Sequence, residues 1–139
     1  MIEFNYETDF QLTAATFYVD WINRVIYSEK KSLGNLNFIF CADDFLLDMN
    51  KKYLDHDTYT DIITFDYCEG VVIAGDIFIS IDRVKENAND FNVSFDSELL
   101  KVMAHGMLHL MGYKDKSEED IIIMRSKEDE KTKLFHVEH

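Results

Sequence analysis

The segment from Phe95 to Met111, FDSELLKVMAHGMLHLM, constrains this chain more than any other. Leu99, Leu100, Val102, Met103, Met107, Leu108, Leu110 and Met111 leave almost no polar face, so a helix here must be enclosed by the rest of the fold. Ser94 is placed to cap its start, and Gly112 to end it, because glycine enters the left-handed conformation at little cost. The sequence therefore predicts a central buried helix. Two histidines, His105 and His109, interrupt the apolar run, and residues four apart share one helix face.

The rest of the chain reads as elements that could enclose such a helix. Phe10, Leu12, Ala15, Tyr18, Val19, Ile22, Val25 and Ile26 recur at helical spacing, which predicts a first helix from Asp9 to about Ser28, capped by Asp9 or Thr8. A turn at Gly34 leads into a short strand through Leu36, Phe38 and Phe40. Asp43 and Asp44 then open a helix through Leu46, Met49 and Tyr53, their charges matching the positive end of the helix dipole. Two β-rich runs, Thr60 to Cys68 and Val71 to Ser80, are separated by Glu69 and Gly70 and predict a hairpin. A weaker helix is expected from Ser80 to about Asn92, and Ser117-Glu118-Glu119-Asp120 resembles a capping box opening a last helix toward Phe135.

With no proline, repeat or low-complexity tract, residues 1–139 read as a single domain, large enough to bury roughly two-thirds of the unfolded surface. The expected class is α/β (α+β): a small mixed sheet of about four strands packed with about five helices, with the metal site on the central one. Cys41 and Cys68 lie in predicted strands without a Cys-x-x-Cys motif, so no structural disulfide is expected. The first ten residues lack the basic and apolar regions of a signal peptide, and no apolar run reaches the roughly 18 residues of a membrane span. These features suit a cytoplasmic chain without a membrane partner. A net charge of −13 gives a field that repels phosphate at long range. It leaves room for a local basic groove built from Lys30, Lys31, Lys51, Lys52, Arg83, Lys114 or Lys116, although most such lysines are simply solvated.

The chemistry concentrates at His105-Gly106-Met107-Leu108-His109, followed by Gly112 and Asp115. Accident alone gives an i, i+4 histidine pair in roughly one chain in seven of this composition, so the pair by itself is weak. Its apolar setting strengthens it, since an unpaired imidazole is costly to bury. A turn at Gly112 can bring Asp115 back over the histidine face as a third, anionic ligand, on the logic of zinc motifs whose last ligand follows a glycine turn. Three protein ligands leave a position for water, which separates a catalytic zinc site from a structural one. Metal-bound water is then the expected nucleophile, with no side-chain base evident. Gly106 stands where a zinc metalloprotease has its general-base glutamate, which argues against that route to peptide hydrolysis. The plainer reading makes both histidines satisfied core or surface groups and Asp115 a loop cap.

The same segment, H-G-M-L-H-L-M-G-Y-K-D, resembles the signature H-G-x-L-H-L-x-G-Y-D-H of the YbeY family of bacterial metal-dependent endoribonucleases in ribosomal RNA maturation. Asn50 and Tyr53, Thr60-Asp61-Ile62-Ile63-Thr64-Phe65 and Gly75-Asp76-Ile77 resemble that family's N-x-x-Y-R, T-D-V-L-S-F and G-D-I segments. The resemblance covers most of residues 36 to 116; the first and last helices fit in length only. It implies a single-strand-specific endoribonuclease of 16S 3′-end maturation and ribosome biogenesis, with one zinc ion per chain. The implied partners are ribosomal RNA or ribosomal particles, with a protein that delivers substrate as a further candidate.

Two positions depart from the family pattern. Asp115 stands where the third histidine is expected, giving two histidines and a carboxylate, a set that still suits zinc. Leu54 replaces the arginine after the tyrosine, so phosphate contact would fall to another cation such as Lys52, Arg83 or Lys114. Asp61 and Asp76 are candidates to orient the metal ligands, although aspartates at strand ends more often serve turns. His56 reads as a solvated loop residue, and His136 and His139 belong to a fraying tail. Two alternatives stay open: a metal-dependent hydrolase of another substrate, and a non-catalytic ribosome-associated module with a structural metal.

Overall fold

Ile2, Phe4 and Tyr6 alternate with Glu3 and Asn5, and this period of two builds a strand, β1 (Ile2–Tyr6), where the sequence had suggested no element. The computed structural model describes residues 1–53 and 60–136. After β1 the elements run α1 (Ala15–Ser28), β2 (Ser32–Cys41), α2 (Asp43–Tyr53), β3 (Ile62–Asp66), β4 (Val72–Ser80), α3 (Ile81–Asp90), α4 (Phe95–Leu110) and α5 (Glu118–Lys133). A 3-10 turn, Leu134–His136, follows. The strands form one four-stranded mixed sheet in the order β1-β2-β4-β3. β2 runs parallel to both β1 and β4, and β3 closes the far edge antiparallel to β4. The expected α+β class and single small domain are therefore observed.

The first helix begins later than expected. Residues before it spend their apolar side chains on the sheet instead: the Phe10 ring lies 5.4 Å from Phe40 and 5.7 Å from Phe95. The helix starts only after Ala14, which has φ 55° and provides no side-chain cap, so neither Thr8 nor Asp9 has the predicted role. The hairpin forms as expected, but its two central residues are Gly70 and Val71, flanked by the Glu69–Val72 bridge. Gly70 has φ 58°, a left-handed conformation natural to glycine. Cys41 is buried and Cys68 half-buried, both as free thiols.

α4 is the buried helix the sequence predicts, with Leu99, Met103, Ala104, Met107 and Leu108 at or near zero exposure. Ser94 caps it by accepting from the Ser97 N–H. Its contact with the sheet depends on two glycines. A Cβ on Gly106 would stand 2.8 Å from Ile62 Cδ1 and 2.9 Å from Ile77 Cγ2, so only hydrogen lets this turn approach β3 and β4. Gly75 on β4 faces Leu110, and a Cβ there would collide with the Phe65 carbonyl oxygen. Because that oxygen belongs to the backbone of β3, it cannot swing aside. Gly75→Ala is therefore expected to cost about 1–3 kcal/mol by overpacking, read as a lower midpoint in urea denaturation. An unchanged midpoint would show that the β3–β4 hairpin shifts freely.

Candidate metal centre

α4 ends in a geometry set by Gly112. That residue has φ 100°; its N–H donates to the His109 carbonyl at 3.1 Å, and the Tyr113 N–H donates to the Leu108 carbonyl at 3.0 Å. This pair of bonds is a Schellman motif, which closes the helix and reverses the chain. The reversal carries Asp115 back onto the histidine face. Its Oδ2 lies 3.2 Å from His105 Nε2, and its Oδ1 lies 3.5 Å from His109 Nε2. The two rings, one turn apart, have centroids 4.9 Å apart at 72°.

The three donor atoms lie within 4.8 Å of one another. Donors at ~2.0–2.1 Å from a tetrahedral zinc sit roughly 3.3 Å apart; here each imidazole faces a different oxygen of the Asp115 carboxylate, at 3.2 and 3.5 Å, so the three groups could draw in around one ion. Nitrogen and oxygen donors of this kind accept zinc and neighbouring transition metals. The three side chains also grade from inside to outside, with exposures of 21% for His105, 34% for His109 and 40% for Asp115. Protein backs one side of the cluster while the other meets solvent.

One residue of this centre was not read from the sequence. Glu128, on α5 and only 6% exposed, has Oε2 at 2.6 Å from His105 Nδ1. A carboxylate at that nitrogen holds a proton there and leaves Nε2 to face Asp115 and a metal. Burial alone would push the His105 imidazole down, but the hydrogen bond and charge of Glu128, with Asp115 and Asp61, outweigh it and hold the ring above its usual value. No local pattern marks Glu128, which lies 23 residues away in a helix rich in acids.

A cavity of about 270 Å³ opens beside the centre, lined by His105, Asp115, Glu128, Asp61, Glu98 and Lys101 among others. Burial pushes the Asp61 carboxyl up against the opposing pull of His105, and burial likewise raises Glu98 against Lys101. Asp61 thus lines the same cavity as His105 and Asp115. Asp76 does not: Ile73, Ile77 and Ile79 of β4 are buried, and Asp76 alternates to the other side of the strand, beside Glu3 and Asn37. Lys114 is exposed on the turn next to Asp115. Arg83 is engaged elsewhere, with Asp43 at 3.1 Å and Glu86 at 2.6 Å, and Lys52 Nζ lies 5.6 Å from the centre of the Tyr53 ring. Lys101, which the sequence had not singled out, is the lysine that lines the cavity. Leu54, His56 and His139 fall outside the described residues.

Comparison with known proteins decides the family. A model of the family described as Endoribonuclease YbeY matches residues 3–136. An endoribonuclease YbeY of Flavobacterium psychrophilum is 60% identical over 137 residues, covering 99% of this chain and 98% of the relative. That of Flavobacterium johnsoniae is 58% identical over 138 residues, covering 99% of each. The chain belongs to the YbeY family. The solution structure of TM1509 from Thermotoga maritima superposes with a TM-score of 0.68 at 25% identity, over 97% of this chain and 89% of that one.

Within the YbeY signature the tyrosine also has a visible task. The Tyr113 hydroxyl donates to Glu29 Oε1 at 2.6 Å, and Glu29 in turn accepts from Lys131 at 2.6 Å and Lys127 at 3.2 Å. Burial would raise the Glu29 carboxyl, but the bonds from Lys131, Tyr113 and Lys127 hold it down at about 2. A folded-state value below the unfolded one means the carboxylate stabilises the fold fully above about pH 4.5 and ceases to as pH falls toward 2. The urea midpoint of the native chain is therefore expected to fall on acidification from neutral to about pH 3 more steeply than that of Glu29→Gln. Parallel pH profiles for the two proteins would remove this assignment.

Proposed function

We propose that the chain is a metal-dependent endoribonuclease that cuts single-stranded RNA in ribosomal RNA processing, including maturation of the 16S 3′ end, and that its ion is zinc. Membership of the YbeY family supports the reaction class. The observation that carries the metal reading is the convergence of His105 Nε2, His109 Nε2 and an Asp115 carboxylate within 4.8 Å of one another. A divalent ion bound there supplies Lewis-acid polarisation of a phosphoryl oxygen and activation of water.

The chain's own residues do the rest. His105 and His109 offer neutral imidazole nitrogens, and Asp115 offsets one of the ion's two charges. Glu128 keeps the His105 proton on Nδ1, so that Nε2 stays available. The cavity beside the ligands sets four carboxylates, Asp61, Glu98, Asp115 and Glu128, against Lys101. These carboxylates repel phosphate, and a dication held by His105, His109 and Asp115 would offset that charge. Lys101 is the group we assign to a substrate phosphate in place of the family arginine, and Asp61 the carboxyl suited to hold a proton near the reacting atoms. The described residues contain no helix long and apolar enough to cross a membrane, and a cytoplasmic ribosomal setting agrees with that.

The expected result is chelator-sensitive cleavage of an RNA carrying the 16S 3′ region by the purified chain. His105→Ala should lower the rate by more than about 100-fold, the scale lost when a transition-state electrostatic stabiliser is removed, while the variant stays folded by circular dichroism. Equal cleavage with and without chelator would exclude the metal-dependent mechanism. Unfolding of His105→Ala together with chelator-sensitive melting of the native chain would instead favour a structural metal.

A further inference from the structure

Asp115 sits on an exposed turn, flanked by exposed Lys114 and Lys116, and among the described residues its carboxylate meets only the two imidazoles. A loop ligand of this kind needs something else to hold it before an ion arrives, because ordering it on binding would weaken affinity. Three neighbouring residues of α5, Lys127, Glu128 and Lys131, supply contacts to the turn's anchor and to His105. Glu128 bonds His105 at 2.6 Å. One residue earlier, Lys127 reaches Glu29 at 3.2 Å and lies 5.7 Å from the centre of the Tyr113 ring. One turn later, the fully buried Lys131 bonds Glu29 at 2.6 Å and Ser28 at 2.9 Å. Glu29 in turn accepts from the Tyr113 hydroxyl at 2.6 Å, two residues before Asp115.

The turn is thus held through its backbone and through a side chain. Its start is fixed by the backbone bonds at Gly112 and Tyr113, and its direction by the Tyr113 side chain anchored to the end of α1. α5 itself is tied to α1 by Trp21 Nε1, which donates to the Lys131 carbonyl at 2.8 Å. Building on the metal reading above, we propose that the Lys127–Lys131 turn of α5 presets the ion site. In this arrangement Glu128 orients His105, and the Lys127–Glu29–Lys131 cluster, through Tyr113, holds Asp115 in place. Glu128 and Tyr113 are positioning residues. The ligand triad is assembled by contacts spanning 23 and 84 residues of sequence rather than by α4 alone.

The test is the affinity of the metal-stripped full chain for Zn2+, measured by competition with a chromophoric chelator, beside the absorption spectrum of the Co2+-loaded protein. Glu128→Gln should bind Zn2+ about 10–100-fold more weakly, the usual loss when a group orienting a metal-bound histidine is altered. Glu128→Leu should be weaker still, which separates hydrogen bonding from packing. Tyr113→Phe keeps the ring and removes only the hydroxyl; a loss of about fivefold is expected, equivalent to one ordinary hydrogen bond. All three variants should also alter the Co2+ spectrum. Phe10→Leu, far from the site, serves as a control that lowers metal-free stability through the core while leaving Zn2+ affinity and the Co2+ spectrum unchanged. Unchanged affinity in either Glu128→Gln or Tyr113→Phe, with only melting affected, overturns the proposal and leaves the nuclease reading standing. Failure of the native chain to take up Zn2+ overturns the centre itself, and this inference with it.

Discussion

The close approach of α4 to the β3–β4 hairpin governs the rest of the molecule. A glycine at position 106 removes the side chain that would hold the helix off Ile62 and Ile77, and a glycine at 75 does the same on the strand side beneath Leu110. With the helix pressed onto the sheet, one face is fully committed to the core. The imidazoles of His105 and His109 are left along the margin, where α5 and the Gly112 turn can reach them. A glutamate at position 106, as in metalloproteases of similar spacing, would have to be driven into Ile62 and Ile77. The choice of chemistry and the packing of the core are therefore one decision at that position.

Electrostatics completes what packing begins. The chain is strongly acidic overall, and the cavity beside the ligands concentrates that character. Burying carboxylates is costly, and burial raises the Asp61 and Glu98 carboxyls even though His105 and Lys101 pull the other way. By contrast, the Glu29 cluster matches its buried charge with Lys131, Lys127 and the Tyr113 hydroxyl, and its carboxyl is held low. The two acidic regions have opposite characters: in one, cations and a hydroxyl outweigh the cost of burial, and in the other burial outweighs the nearby cations.

What the sequence made legible was local. The apolar run of α4, the Ser94 and Ser117 caps and the Gly112 turn are short-range signals, and each appears in the fold, as does the hairpin at Gly70, its turn one residue later than expected. The histidine pair with Asp115 was legible for the same reason, since eleven consecutive residues contain it. Long-range partners were not. Glu128 looks like any other acid of α5, and nothing near Glu29 announces that it will hold Tyr113 from 84 residues away. The start of α1 was misjudged because Phe10 and Leu12 fit a helical period, yet their side chains serve the sheet and its neighbours. β1 alternates visibly, but a five-residue strand gains its meaning only from pairing in parallel with β2.

The inside-to-outside grading of His105, His109 and Asp115 bears on how a polymer can meet them. Exposure rises from 21% to 34% to 40% along that series, so the group opens to solvent on its Asp115 side. An open flank lets a long strand pass with both of its ends running off into water, so no terminus has to be threaded to bring an interior linkage into reach. A closed pit would have selected for chain ends; an open flank is indifferent to them, which agrees with scission within a strand.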